Sequence, residues 1–294
     1  MLHSRRAFVK SAALLSAGVL ASPALLAKGP TDIGLQLYTL RDAMLKDPVG
    51  TLAQVAKMGY TTVEGATYTG SLKFYDMTPA AFAQVLKKAG LRMPSSHYLL
   101  GEQQNNGQPT AGTILHGWDK AVDDAAQVGI KYMVCAWLTE SERGSLDHYK
   151  LLAERLNKAG ERCKKAGIQL CYHNHDFEFV AQDGKLPYDV LLTTDKDLVK
   201  MELDLYWATK AGHDPVALFS KNPGRFPLWH VKDMAKTPPH SFTEVGNGSI
   251  DFKRIFAQAK TAGLRHFFVE QDQTPGSPFD SIQQSISYIK RSLV

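Results

Sequence analysis

Lys164-Lys165-Ala166-Gly167, followed by Gln169-Leu170-Cys171-Tyr172, reads as the end of an amphipathic helix and then a short apolar strand. Basic residues near the final helical turn with glycine just beyond them are a helix-stop signature. The same phrase recurs along the chain. Val55-Ala56-Lys57-Met58-Gly59 precedes Thr62-Val63-Glu64, and Leu86-Lys87-Lys88-Ala89-Gly90 precedes Arg92-Met93-Pro94-Ser95-Ser96. Ala126-Gln127-Val128-Gly129 precedes Tyr132-Met133-Val134-Cys135, and Lys260-Thr261-Ala262-Gly263 precedes Phe267-Phe268-Val269-Glu270. Gly59, Gly90, Gly129 and Gly167 are separated by 31, 39 and 38 residues, a spacing that suits helix-plus-strand units and not solenoid modules.

Strands are predicted near 33–38, 61–65, 92–98, 132–138, 169–175, 199–205, 226–232 and 266–271, with helices starting at Pro48, Pro79, Asp147, Pro215 and Phe252. Strands alternating with helices make an α/β domain with a parallel sheet, and eight of them favour a closed (β/α)8 TIM barrel over an open doubly wound sheet. No GxGxxG follows the first strand, which argues against a dinucleotide fold. The expected organisation is a single-domain barrel over 28–294, preceded by an export signal over 1–27.

The 294 residues are 44% hydrophobic and 21% charged, which excludes a disordered, collagen-like or coiled-coil chain. A chain of this length buries about three quarters of its unfolded surface, so it needs no staple merely to fold. The formal charge is +5, but removal of Arg5, Arg6 and Lys10 with residues 1–27 leaves 31 basic against 29 acidic residues. That balance gives no electrostatic reason to expect nucleic acid or an anionic membrane as partner. Cys135, Cys163 and Cys171 are odd in number and lack CxxC spacing, so they read as buried small hydrophobes and not as disulfides.

Ser4-Arg5-Arg6-Ala7-Phe8-Val9-Lys10 opens a charged segment, and an apolar stretch follows from Ser11 to about Ala27. That stretch is short for a membrane span, which needs roughly 20 apolar residues. A charged start, an apolar middle and small residues near Ala24 or Ala27 describe a cleavable signal. The paired arginines, with Phe and Lys behind them, resemble a twin-arginine export signal. The expected partner is therefore the twin-arginine export machinery, the expected location is the periplasm, and no stable membrane insertion is expected after processing. That route carries folded proteins, often with a cofactor already inserted, so a metal or cofactor becomes a reasonable search target.

Barrel enzymes keep their chemistry at the C-terminal ends of the strands. Here the second strand ends in Glu64, the third in His97, and the fifth in His173-Asn174-His175, followed by Asp176 and Glu178. The sixth ends in Glu202 and Asp204, the seventh in His230-Val231-Lys232-Asp233, and the eighth in Glu270-Gln271-Asp272. His173, Asp204, His230 and Glu270 come from four consecutive strands and would converge on one point. Unpaired buried charge costs several kcal/mol. One divalent cation would reconcile two carboxylates with two imidazoles, and this donor set suits Mn, Zn, Co or Fe more than Ca or Mg. The alternative is a hydrogen-bonded polar network at the barrel mouth without metal.

These phrases resemble the xylose-isomerase-like barrels, which include sugar isomerases and epimerases, inosose dehydratase and endonuclease IV. The resemblance runs from about Gly34 to the C-terminus. It is carried by Gly34-Leu35-Gln36-Leu37-Tyr38, Gly59-Tyr60-Thr61-Thr62-Val63-Glu64, Tyr172-His173-Asn174-His175-Asp176-Phe177-Glu178-Phe179 and Glu202-Leu203-Asp204. Trp229-His230-Val231-Lys232-Asp233, Glu244-Val245-Gly246-Asn247-Gly248-Ser249-Ile250-Asp251 and Phe268-Val269-Glu270 complete it. The resemblance implies one catalytic metal on His173, Asp204, His230 and Glu270. Two departures stand out. His173 occupies a position where many sugar epimerases have Glu, which removes one negative charge and a proton-transfer base. Trp207 stands three residues after Asp204, where endonuclease IV needs His, which argues against a trinuclear-zinc nuclease.

The mechanism the resemblance implies is proton abstraction beside a carbonyl through an enediolate, with the metal as Lewis acid and a carboxylate or imidazole moving the proton. Glu270 is expected as ligand, base or both. His175 and His97 are candidate acid/bases, because an ordinary imidazole pKa near 6.5 suits proton shuttling; either is equally readable as a structural histidine. Glu178 and Glu64 are further acid/base candidates, and Glu64 is also expected to contact substrate. Lys232 would polarise a substrate oxygen, or lie along the barrel rim. Tyr38, Trp137 and Trp207 would form an aromatic platform for sugar faces, with ordinary core packing as the alternative. Glu244 would anchor the loop through Gly246 and Gly248.

The expected activity is a metal-dependent isomerase or epimerase acting on a keto sugar or cyclitol. Its rivals are a lyase or dehydratase working by β-elimination on a keto sugar or 3-keto-glycoside, and a non-catalytic carbohydrate-binding barrel. No Gly-rich phosphate cradle or arginine cluster is visible, so a phosphorylated substrate is disfavoured. A homodimer is an expectation that rests on the resemblance alone.

Overall fold

The computed structural model describes residues 32–294 except Gln103 and Asn106, so the expected export signal at 1–27 lies outside the described residues. Eight parallel strands close into a barrel. They are β1 (Gly34–Gln36), β2 (Thr62–Gly65), β3 (Arg92–Leu99), β4 (Tyr132–Trp137), β5 (Gln169–His173), β6 (Val199–Asp204), β7 (Leu228–Val231) and β8 (His266–Val269). Each pairs with its neighbour in sequence, and β8 closes on β1 through Gly34 opposite Phe268 and Leu35 opposite Val269.

Four of the expected helix starts coincide with the observed ones, at Pro48, Pro79, Pro215 and Phe252. The helix expected from Asp147 begins at Leu146, because the Ser145 hydroxyl accepts from the His148 amide and caps it there. That helix runs to Lys165, and Gly167 then turns with φ +70°, which lets the Ile168 amide reach back to the Cys163 carbonyl.

Several strands end sooner than expected, because side chains at their ends capture the backbone. After β1 the Gln36 carboxamide oxygen accepts from the Tyr38 amide and starts a short 3-10 turn, Leu37–Leu40. After β5 the Glu178 carboxylate accepts from the His175 amide. After β8 the Gln271 amide donates to the Thr39 hydroxyl. These turns hold the strand-end residues above the barrel, where the site lies.

Period-two alternation decides which side chains fill the barrel. Val134, Cys171, Leu228 and Phe268 form a small apolar cluster inside it, separate from the large core between strands and helices. One step up the same alternation come His173, His230 and Glu270. All three cysteines are buried and free, as expected.

Closure depends on the smallest residue. A Cβ at Gly34 would collide with the Phe268 ring and the Phe267 carbonyl of the paired strand. Gly34→Ala is therefore expected to lower the unfolding free energy by about 1–3 kcal/mol through overpacking, measured by urea denaturation.

Candidate active site

Above the apolar cluster, β2, β3, β6 and β7 bring Glu64, His97, Glu202 and His230 together, and Glu64, Glu202 and His230 are wholly buried. The Glu64 carboxylate lies 2.5 Å from His230 Nε2 and accepts from the Gln36 carboxamide at 2.8 Å. Glu202 Oε2 lies 2.9 Å from His97 Nε2 and 3.2 Å from both His173 Nδ1 and His230 Nε2. Burial opposes charge on His97, but Glu64 and Glu202 outweigh it and lift the imidazole to about 9. Burial, reinforced by Glu64, pushes Glu202 up to about 7.

One layer higher, the donor atoms of Asp204, His230 and Glu270 lie within 4.8 Å of one another. His230 Nδ1 is 2.7 Å from Glu270 Oε2, and His173 Nε2 is 3.9 Å from Asp204 Oδ2. The Lys232 ammonium stands 3.0 Å from Asp204, 2.7 Å from Glu270 and 3.0 Å from Asp272. Burial opposes its charge, yet those three carboxylates hold its pKa well above the ordinary lysine value. Glu270 is likewise held well below the carboxylate range, because Lys232 and His230 outweigh its burial. His173 moves the other way: burial and the neighbouring imidazoles keep it neutral.

These residues fit a divalent cation. Asp204 Oδ2, His230 Nδ1 and Glu270 Oε2 are buried, and they face one another and the Lys232 ammonium. Asp204, Glu270 and Asp272 share the single Lys232 ammonium, leaving carboxylate charge in this layer that a cation relieves. With Nε2 of His230 turned to Glu64, Nδ1 is left as the face toward Asp204 and Glu270, the orienting arrangement usual behind a metal-bound imidazole. His173, Asp204, His230 and Glu270 would hold the ion.

A cavity of about 480 Å³ opens over this cluster. Tyr38, His97, Trp137, His173, His175, Trp207, Lys232 and Glu270 line it, together with Asp272, which burial raises to about 6 against the pull of Lys232.

The sequence profile of the xylose isomerase-like TIM barrel family matches residues 52–292. The chain belongs to that family. A sugar phosphate isomerase/epimerase from Parabacteroides distasonis superposes with a TM-score of 0.77 at 31% identity, over 91% of this chain and 96% of the other. Inosose dehydratase from Lacticaseibacillus casei is 27% identical over 167 residues, 50% of this chain and 55% of that protein. The Clostridium beijerinckii enzyme of the same name is 26% identical over 197 residues, 56% of this chain and 65% of that one. The chain thus spans about half to two thirds of the length of these curated relatives. A structure described as IOLI protein with a binding zinc atom shares the fold, with a TM-score of 0.67 at 15% identity over 88% of this chain and 97% of that one.

Within this xylose isomerase-like barrel, three residues expected at the site stand elsewhere. Glu64 does not line the cavity: Gln36 and His230 hold it beneath, where it orients His230. Glu178 is buried under the turn after β5, accepting from the Tyr172 hydroxyl and the His175 amide. Glu244 accepts from Ser281, Thr243 and Asn247, bracing the last helix away from the cavity. Through Asn247, Glu244 does tether the glycine loop, and Asp233 holds that loop's backbone as well, accepting from the amides of Met234, Gly246, Gly248 and Ile250. The histidines also differ from expectation, since neither titrates near 6.5. Burial keeps His175 neutral down to about 3, while His97 holds its proton to about 9.

Glu202 and Asp272 also stand at strand ends, against His97 and Lys232. Each lies two residues from an expected ligand, so the strand alternation that turned Asp204 and Glu270 inward pointed to them as well. Gln36 had no such charge signal.

Two outcomes follow. Glu64→Gln weakens metal affinity by roughly 10–100-fold, as expected for loss of the carboxylate behind a metal-bound histidine, measured by calorimetric titration of the metal-stripped chain. Glu178, raised by burial from its usual 4.5 to about 8, binds its proton more tightly folded than unfolded. Its contribution is complete below about 4.5 and is lost as pH rises toward 8, at most roughly 1.4 kcal/mol per pH unit. Urea unfolding of Glu178→Gln across that range should show a flatter pH dependence than the parent chain.

Proposed function

We propose that this barrel is a metal-dependent lyase acting on an unphosphorylated keto sugar or cyclitol by β-elimination. One observation carries the choice of elimination over epimerisation. The carboxylates that reach the cavity, Glu270 and Asp272, both follow β8, with Asp204 of β6 behind them, and the opposite wall offers no second anionic base. Epimerisation removes a proton from one face of a carbon and returns one to the other, so it needs a proton-moving group on each side. Elimination needs one base and one acid, which can share a side. His173 stands neutral where a second carboxylate would be required, and His97 is committed to Glu202 and Glu64.

A divalent cation on His173, Asp204, His230 and Glu270 would supply Lewis-acid stabilisation of negative charge developing on the substrate carbonyl oxygen. Glu270, kept anionic beside Lys232, takes the proton from the carbon next to the carbonyl. The electron pair of that C–H bond becomes the new C=C bond as the β C–O bond breaks. Asp272, 3.0 Å from Lys232 at the cavity wall, is placed to give a proton to the departing oxygen. Lys232 keeps Asp204, Glu270 and Asp272 in one arrangement.

The inosose dehydratase relatives support a dehydratase. Among the described residues no arginine lines the cavity, and its one lysine is already engaged by three carboxylates, which disfavours a phosphorylated substrate. Isomerisation or epimerisation is the second reading, favoured by the likeness to the Parabacteroides distasonis structure. We also place the enzyme in the periplasm, a reading supported by the twin-arginine phrase Arg5-Arg6-Ala7-Phe8-Val9-Lys10.

The test combines metal analysis with product mass. Protein purified without chelator should hold about one Mn, Co, Fe or Zn per chain, lost in a His230→Ala/Glu270→Ala double variant. Incubation with an inosose or a 3-keto-glucoside should yield a product lighter by one water or a released aglycone. Asp272→Asn should slow turnover by about 10²–10⁴-fold. An isomeric product of unchanged mass would establish the second reading, and sugar binding that survives chelation and Asp204→Ala without turnover would leave a binding barrel.

A further inference from the structure

The cavity is two-sided. Its β5–β8 half carries the imidazoles of His173 and His175, the Trp207 indole, the lysine and the carboxylates. Its β1–β4 half is formed by Tyr38, Ala66, Tyr98, Leu99, Ala136 and Trp137, with Thr69 at the edge. His97 is the charged group on that side, and its Nε2 already faces Glu202 and Glu64.

Tyr38 and Trp137 bracket the apolar half, one following β1 and the other ending β4. They are 45% and 43% exposed, among the few large hydrophobic side chains so open to solvent in the described residues. Both rings are nevertheless held in place. The Arg41 guanidinium lies 4.6 Å over the Tyr38 ring and donates to the Tyr38 carbonyl at 3.1 Å. Trp137 meets His175 edge-on at 4.8 Å and Phe177 edge-on at 5.8 Å, while Arg143 covers Phe177 at 4.0 Å. Exposed rings fixed before any ligand arrives lose little freedom on binding, and exposed apolar surface beside a polar site marks a binding surface.

We propose that the β1–β4 half is a separate subsite for a flat apolar group, an aryl substituent carried by the sugar. The sugar ring lies on the β5–β8 half, which rests on the reading that the carboxylates there act on a sugar. A second sugar ring suits this half poorly. Its hydroxyl groups need several hydrogen-bonding partners, and the half offers chiefly the hydroxyls of Thr69 and Tyr38. An aryl group needs none of them and gains by stacking and burial against the fixed rings.

The test compares phenyl and methyl glucosides, both anomers, by calorimetric titration of the whole chain. The phenyl glucoside should bind about 10-fold more tightly. That ratio should collapse to about twofold or less in Trp137→Ala and in Tyr38→Ala, with circular dichroism confirming that each variant is folded. Equal affinity for the two glucosides, no binding of either, or a ratio that survives both substitutions overturns the subsite. An aryl preference in a chain that turns over no keto sugar supports the subsite and sinks the lyase reading. Elimination without aryl preference does the reverse.

Discussion

The His230 imidazole stands between two groups of carboxylates. Glu64 and Glu202 meet its Nε2, and Glu270 meets its Nδ1. No water reaches this ring, so every charge around it must be balanced by protein or by a bound ion. That requirement links the barrel to its chemistry. The buried anions below orient the ring, and the oriented ring presents Nδ1 to the layer above. Removing either set would leave the other uncompensated, which in a buried site costs more than the pair itself contributes.

The layering follows from geometry as simple as strand alternation. Leu228, His230 and Lys232 climb one strand at two-residue intervals, passing from apolar plug to buried imidazole to cavity wall. Cys171, His173 and His175 climb another. The strands are parallel but staggered around the barrel, so Phe268 pairs with His230 and Leu228 with Glu202 on neighbouring strands. Chemistry still gathers in strata: an apolar floor, a proton-holding layer of Glu64, His97 and Glu202, then the cation-fitting layer. Lys232 joins the last of these to the cavity by touching three carboxylates at once.

The cavity is uneven around its circumference, and this asymmetry carries the functional reading. Its carboxylates come from strands late in the chain, and its apolar and aromatic groups, Trp207 apart, from early ones. A site of that shape moves protons on one side of a bound molecule and offers packing on the other. It suits a reaction in which base and acid work on one side, with the remainder of the substrate resting against Tyr38, Trp137 and their neighbours.

Much of this was legible in the residues. The glycine-stopped helices and apolar strands determined a (β/α)8 barrel because helix caps and strand alternation are local, needing only neighbours in the chain. The convergence of His173, Asp204, His230 and Glu270 was legible for the same reason, since residues ending parallel strands of one barrel must meet. Protonation states and side-chain roles were not legible. The sequence alone suggested that His97 and His175 would titrate alike. Tertiary structure placed one beside two buried carboxylates and the other in an apolar wall, and so left the first protonated and the second neutral. Likewise only the fold decided that Glu64 faces His230 and not substrate, and that Asp233 joins Glu244 in holding the glycine loop. Those outcomes depend on which groups from distant strands and loops share a buried volume, and local sequence does not specify distances between them.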